Sequence, residues 1–104
     1  MNTFGELFRK YRVKAGFSSL SEFADAFAQN GYCYDESIFS HWQAGKRIPG
    51  KRVVLVSLIV LFIQKGSIHS LQEANELLES AGHGYLTLTE QEKLRKIVSR
   101  TFFT

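Results

Sequence analysis

Residues 35 to 49 combine a short two-faced helix with a run of basic side chains. Asp35 is a residue type that caps helix N-termini, because its carboxylate can accept from the free N–H groups of the first turn. Gly45 is the type that ends a helix in the left-handed conformation. The spacing between them places Phe39 and Trp42 on an apolar face. The opposite face carries small or polar side chains, namely Ser37, Ser40, His41 and Ala44.

The polar face of this helix and the basic side chains after it suit a nucleic acid. Small polar side chains let a helix come close to the base edges of a DNA major groove. Four cations follow the helix, where they could meet the flanking phosphates: Lys46, Arg47, Lys51 and Arg52. The alternative is an ordinary surface helix followed by a solvated basic turn.

Two amphipathic helices are predicted before residue 35. Apolar side chains recur at i, i+3, i+4 and i+7 in two segments, Phe4, Leu7, Phe8 and Tyr11 and then Leu20, Phe23, Ala24 and Phe27. Helix-start signatures, in which Ser or Thr precedes Glu by three residues, occur at Thr3, Ser19, Ser70 and Thr89. Glycines mark the connections between these segments. The predicted fold is all-α.

Three short motifs lie between residues 12 and 49. They are Arg-x-x-x-Gly-Phe-Ser at 12 to 18, Glu-Phe-Ala at 22 to 24, and Ile-Phe-Ser-His-Trp-Gln-Ala-Gly-Lys-Arg-Ile-Pro at 38 to 49. With these motifs the chain resembles the XRE family, the Cro and phage-repressor type of helix-turn-helix, over roughly residues 4 to 62. The resemblance implies a lambda-repressor-like bundle whose recognition helix spans Glu36 to Ala44. It also implies base contacts from Glu36, Ser37 and His41, with Ser40 close to the groove wall.

The chain departs from the family pattern at two places. The family usually has an acidic residue after the aromatic at position 42, paired with an arginine of the first helix, whereas this chain has the neutral Gln43. We expect an amide to guanidinium hydrogen bond with Arg12 in its place. The connection through residues 29 to 34 is also longer than usual, which either lengthens the second helix or alters the turn, and so affects the docking angle.

The composition indicates one compact domain in a chain of 104 residues, 44% of them apolar. The net charge of +3 is uneven, because residues 1 to 52 contain eight Lys or Arg against five Asp or Glu, and residues 53 to 104 contain five of each. This modest excess supports nucleic-acid binding without requiring it. The single Cys33 excludes an internal disulfide and, with no secretory signal at the N-terminus, indicates the cytoplasm.

The C-terminal half is predicted to extend the helix-turn-helix core of residues 1 to 65 by two helices in residues 66 to 104. Residues 53 to 63 are an apolar run, too short for a membrane span, which predicts a helix buried on every side. Two apolar stripes are expected to cover it: Leu71, Ala74, Leu77, Leu78 and Ala81, and then Leu94, Ile97, Val98 and Phe102. Residues 70 to 88 are similar to the segment after the helix-turn-helix at the N-terminus of some bacterial STAND-type ATPases.

Candidate catalytic and ligand-binding groups lack the spacing that their chemistry needs. Adjacent Ser40 and His41 point about 100° apart on a helix, so they do not form a nucleophile and base pair. Gly45-Lys46 lacks the other residues of a phosphate-binding P-loop. His69 and His83 lack metal-ligand spacing. We therefore expect no enzyme, no cofactor, no metal site and no small-molecule substrate.

Two functions remain open from the sequence. The first is a sequence-specific transcriptional regulator that binds double-stranded DNA as a homodimer. The second is a helical protein-interaction module that kept the fold without DNA binding, since carboxylates at Asp35 and Glu36 would repel phosphates unless each has a partner. The predicted dimer contacts are Val98, Phe102 and Phe103, although the two rings could instead fold back onto their own core.

Overall fold

The computed structural model describes residues 3 to 97, which form six α-helices. In chain order these are α1 (Phe4–Lys14), α2 (Leu20–Gln29), α3 (Glu36–Gln43), α4 (Arg52–Gln64), α5 (Leu71–Ser80) and α6 (Leu88–Arg95). No β-strand occurs between residues 3 and 97, so the predicted all-α class is confirmed for this part of the chain. The predicted dimer contacts Val98, Phe102 and Phe103 lie outside the described residues.

Side-chain caps begin five of the six helices. The hydroxyls of Thr3 and Thr87 each accept from the N–H of a glutamate three residues later, and that glutamate accepts in return from the cap backbone. The hydroxyls of Ser19 and Ser70 also accept from the N–H of a glutamate three residues later. Their own backbone N–H groups do not donate to that glutamate. The start predicted at Thr89 is wrong by two residues. Beginning at Thr87 instead allows Leu86, just before the cap, to be buried.

The buried apolar side chains form one cluster to which every helix contributes. Its centre is aromatic, with the Phe23 ring in edge contact with Phe8, Phe17 and Phe39 at centroid distances of 5.1, 5.8 and 5.0 Å. Helix α3 packs on α1 and α2, and α5 also packs on α1. The core therefore lies directly beneath α3.

Among residues 3 to 97, one side of helix α4 is left partly exposed, which corrects the prediction of burial on every side. Six of its residues are buried, Val54, Leu55, Leu58, Ile59, Leu61 and Phe62. Val53 is 58% exposed, and Val56 and Val60 are half-buried. No helix within residues 3 to 97 has the length and apolar character to cross a membrane. The uncovered side of α4 forms an apolar groove with α6, which we call the α4–α6 groove.

The two predicted stripes of the C-terminal half differ in outcome. On α5, Ala74, Leu77, Leu78 and Ala81 are buried and Leu71 is half-buried, as predicted. After α5, Leu94 is 2% exposed, but Ile97 is 53% exposed and does not cover α4. Helix α6 ends at Arg95, so residue 97 lies beyond the regular helix on which its predicted position depended.

The long connection between α2 and α3 packs onto the core without lengthening α2. The backbone turns at Gly31, whose φ of 97° favours glycine. Tyr32 then stacks on Phe27 at 5.0 Å, and Tyr34 lies 6.1 Å from the Phe39 ring. The Ser57 hydroxyl of α4 donates to the Tyr32 hydroxyl over 2.9 Å. The extra residues therefore tie α2, α3 and α4 together.

Candidate nucleic-acid interface

Helix α3 has the N-terminal cap and the left-handed glycine that its sequence predicts. The Asp35 carboxylate accepts from the Ser37 N–H over 3.1 Å, and this bond satisfies one donor of the first turn. At the other end Gly45 has a φ of 79°, in the left-handed region. The regular helix stops at Gln43, one residue short of the predicted end, with Ala44 as its C-cap.

The two faces of α3 are separated as predicted. Phe39 is fully buried and Trp42 is 4% exposed, and their rings meet edge to face at 5.0 Å. Trp42 also contacts the Phe8 ring of α1 at 5.7 Å. The four predicted base-reading residues, Glu36, Ser37, Ser40 and His41, are all exposed. A rigid aromatic anchor thus holds a helix whose outer face is polar and accessible.

The predicted hydrogen bond between Gln43 and Arg12 is confirmed. Arg12 Nε donates to the Gln43 side-chain oxygen over 3.3 Å, and Nη1 donates to the Phe17 carbonyl over 2.7 Å. Arg12 is only 5% exposed, and this burial lowers its pKa from the ordinary value. The guanidinium therefore connects the end of α1, the start of the α1–α2 turn and the end of α3.

Helix α1 touches α3 through a glycine that the sequence analysis did not single out. A Cβ added at Gly5 would lie 2.6 Å from the Gln43 carbonyl oxygen and 2.7 Å from that of Trp42. Gly5 is the second residue of α1, at a position where most residues would form a helix better. That unfavourable placement was the available sequence signal for a close approach between two helices.

Three of the four predicted phosphate contacts lie on an exposed segment after α3. Lys46, Arg47 and Lys51 are exposed. The backbone N–H groups of Lys46 and Arg47 both donate to the His41 carbonyl, over 2.9 and 3.3 Å. This bonding fixes the backbone at the start of the segment against the end of α3, which places Lys46 and Arg47 next to the polar face. We call Lys46, Arg47 and Lys51 the basic turn.

The fourth predicted phosphate contact, Arg52, has a different partner in the structure. Its Nε and Nη2 donate to the two carboxylate oxygens of Glu90 over 3.0 and 2.7 Å. Nη1 donates to the Gly84 carbonyl over 2.7 Å, and Nη2 donates to the Tyr85 carbonyl over 2.9 Å. The hydrogen bond from Arg52 lowers the pKa of Glu90 to about 2. The guanidinium is thus occupied by the C-terminal half, and no spacing in the sequence indicated this pairing.

The two carboxylates at the start of α3 have unequal roles. Asp35 is used in capping, whereas Glu36 is exposed at the first position of the helix. The Asp35 carboxylate has one oxygen in the cap, whereas the Glu36 carboxylate makes no capping bond, and the positive end of the helix dipole favours both charges.

Other groups with possible ligand chemistry do not cluster. Between residues 3 and 97 no three His, Cys, Asp or Glu side chains come together in an arrangement that could hold a metal ion. Cys33 is an exposed thiol in the α2–α3 connection. Comparisons of the chain with models of protein families, with curated proteins and with solved structures found no match.

Proposed function

We propose that this protein is a sequence-specific DNA-binding regulator of the lambda-repressor-like helix-turn-helix type, in which α2 and α3 form the motif. The observation that carries the proposal is the combination on α3 of a buried aromatic side with an exposed polar side, followed at once by the basic turn. A helix that enters the major groove needs both a rigid attachment and an outer face without bulky apolar groups.

The contacts divide into two classes. Glu36, Ser37, Ser40 and His41 face the base edges, where Glu36 accepts from a cytosine amino group and the other three exchange hydrogen bonds with bases or the groove wall. The cations of the basic turn bind the phosphates on either side and set the position of α3 without sequence preference. Arg52 is left out of the second class because its donors are used by Glu90 and two carbonyls.

Selection of bound sequences from a random pool of DNA duplexes tests this function. Enrichment of a defined half-site is expected, because side chains on one face of a short helix read only a few base pairs. Binding that persists through selection without enrichment contradicts sequence specificity, and the absence of binding at low salt contradicts the function as a whole.

We also propose that the protein acts as a homodimer through its C-terminal half. The α4–α6 groove, of about 610 Å³, supports this proposal because its apolar lining includes the exposed Val53 and Ile97. Three of its polar lining residues have partners within the chain, since Ser57 bonds Tyr32 and Arg52 bonds Glu90. The predicted contact Val98 directly follows Ile97 in sequence.

The second candidate function is a protein-interaction module without DNA binding, and the same exposed groove favours it. Retention on a mixed-sequence DNA column, followed by elution with salt, separates the two candidates. A DNA-binding protein is retained at low salt and released as salt rises, whereas an interaction module flows through.

A further inference from the structure

The guanidinium of Arg52 is held away from the surface that its chain position predicts for it. Arg52 is the first residue of α4 and follows Lys51, the last cation of the basic turn. Lys51 is exposed, but the neighbouring Arg52 side chain is only 31% exposed and is bonded to residues more than thirty positions later. A cation adjacent to the proposed phosphate surface is therefore neutralised by the chain itself.

The partner of Arg52 is positioned independently of it. Glu90 is the third residue of α6, and its Oε1 accepts from the Thr87 N–H over 2.9 Å as part of the capping box. The Thr87 hydroxyl accepts from the Glu90 N–H over 3.1 Å, so the carboxylate is fixed by the start of its own helix. Arg52 then meets both carboxylate oxygens in a bidentate pair, the geometry that binds an arginine most firmly.

The Gly84 and Tyr85 carbonyls complete the enclosure of the guanidinium. With the two bonds to Glu90, they use four of its five N–H donors. A DNA phosphate that takes more than the one remaining N–H of Arg52 must displace the carboxylate or the carbonyl acceptors. The Lys51 side chain is exposed and is not hydrogen-bonded to an acceptor within residues 3 to 97, so a phosphate that meets it displaces no such bond there.

We propose that Glu90 withholds Arg52 from DNA, so that the C-terminal extension limits the positive charge that the basic turn presents to phosphates. This autoinhibitory contact rests on the proposed DNA-binding function. Separation of the start of α6 from α4 releases Arg52 beside Lys51 and adds one phosphate contact. The extension thereby sets the strength of sequence-independent binding and leaves base reading by α3 unchanged.

The test is a cycle of variants bound to a mixed-sequence DNA duplex over a range of salt concentrations. Glu90→Gln keeps an oxygen for the Thr87 N–H but removes the charge that holds Arg52. It should make the slope of log K against log salt steeper by about 0.9 and tighten binding up to about eightfold at 0.1 M salt. Arg52→Met should leave the wild-type slope unchanged, and in the Glu90→Gln background it should reverse the gain.

Two further variants keep the test decisive. Glu92→Gln removes an exposed carboxylate from the same helix without touching Arg52, and it should change the slope much less than Glu90→Gln does. Arg52→Lys leaves the cap of α6 intact but cannot form the bidentate pair, so it should steepen the slope as Glu90→Gln does. If circular dichroism shows that Glu90→Gln has lost helix, Arg52→Lys replaces it as the test variant.

The possible failures are distinguishable. If wild type binds DNA and Arg52→Met alone flattens its slope by about one unit, Arg52 already contacts phosphate and the withholding contact is refuted. Equal effects of Glu90→Gln and Glu92→Gln refute it as well, since they would reflect net charge only. If none of the variants binds DNA, the proposed function fails and the inference fails with it. Binding by Glu90→Gln but not by wild type supports both.

Discussion

The contact between Gly5 and the end of α3 sets how closely the candidate recognition helix approaches the core. An alanine at position 5 would gain about 1 kcal/mol of helix propensity. Its Cβ would, however, lie within 2.7 Å of two backbone oxygens, at a distance that real contacts do not reach. Backbone atoms cannot rotate away as a side chain can, so the steric cost prevails and α1 must shift from α3.

We expect Gly5→Ala to lower the free energy of unfolding by about 1 to 3 kcal/mol in urea titrations. Gly50→Ala is the matched control, because its added Cβ would meet no atom within 4 Å and its φ is not positive. Equal stability of the two variants would show that the close approach between α1 and α3 is not maintained in solution.

The Arg52–Glu90 pair gives stability a specific dependence on pH. The pKa of Glu90 lies at about 2 in the folded protein, below its ordinary value of 4.5, because the charged carboxylate accepts from Arg52. A carboxylate with a lowered folded-state pKa stabilises the fold above its unfolded pKa, and this contribution is lost as pH falls toward the folded value. The stabilisation should therefore be complete above about pH 5 and disappear between pH 4.5 and about 2.

Glu90→Gln should lower the free energy of unfolding by about 1 to 2 kcal/mol at neutral pH, a value reduced for the partial exposure of the pair. Denaturant titrations of wild type and variant at several pH values measure the difference. That difference should shrink toward zero at the acid end of the range. If it is the same at neutral and acid pH, Glu90 is not held by Arg52 in solution.

Among the elements, the basic turn is expected to determine affinity for DNA and α3 to determine sequence specificity. The backbone of Lys46 and Arg47 in the basic turn is bonded to His41, while α3 carries the groups proposed to distinguish bases. Replacing Lys46 and Arg47 by glutamine should make the slope of log K against log salt shallower by up to about two units, for all DNA sequences alike.

Lys65→Gln with Lys96→Gln is the matched control for this prediction, since it removes two exposed cations at the C-caps of α4 and α6 and leaves the basic turn intact. The control pair should change the slope much less. A slope that responds equally to both pairs, or only to the control, would place the phosphate surface away from the basic turn.

The elements themselves could be predicted from the sequence where a local signal determined them. The Asp35 cap, the left-handed Gly45 and the apolar spacing of Phe39 and Trp42 are local, and the structure confirms all three. The resemblance to a known family also led to the Arg12–Gln43 bond. In each of these cases the deciding residues lie on one helix or in a known pairing.

Long-range packing decided the features that could not be predicted. Thr87 and Thr89 carry equivalent capping signatures, and the burial of Leu86 favours the first of them. The sequence around Arg52 resembles a basic segment, but its partner Glu90 is 38 residues away. Likewise, an apolar run such as α4 predicts a large apolar surface. It does not indicate which side of the helix remains exposed.

At the scale of the whole molecule, size supports the proposed dimer. One copy measures 34 × 27 × 21 Å, and its described residues provide one candidate recognition helix, α3. Successive major-groove half-sites lie about 34 Å apart, so one copy cannot place a recognition helix in both. Two copies related by a two-fold axis could do so, with the C-terminal halves in contact.

We expect Val53→Lys or Ile97→Lys to raise the dimer dissociation constant at least about tenfold in sedimentation equilibrium, because each places a charge in the apolar groove. Truncation after Ser99 should also weaken the dimer, as it removes the predicted contacts Phe102 and Phe103. Leu88→Lys is the control, since Leu88 is 79% exposed and lies outside the groove. A wild-type protein that stays monomeric at micromolar concentrations contradicts the dimer.

The assignment of α3 to the major groove is tested most directly by discrimination between the selected duplex and a scrambled one. This discrimination is measured before and after removal of the polar face of α3. In the variant Glu36→Ala, Ser37→Ala, His41→Ala, each lost base contact should cost about 1 to 3 kcal/mol on the selected duplex and little on the scrambled one. The control triple Gln72→Ala, Glu76→Ala, Glu92→Ala changes residues of α5 and α6 and should discriminate as wild type does. Loss of discrimination in the first triple, with helix content retained, is the predicted result. Full discrimination by that variant would contradict the assignment of α3 to the major groove.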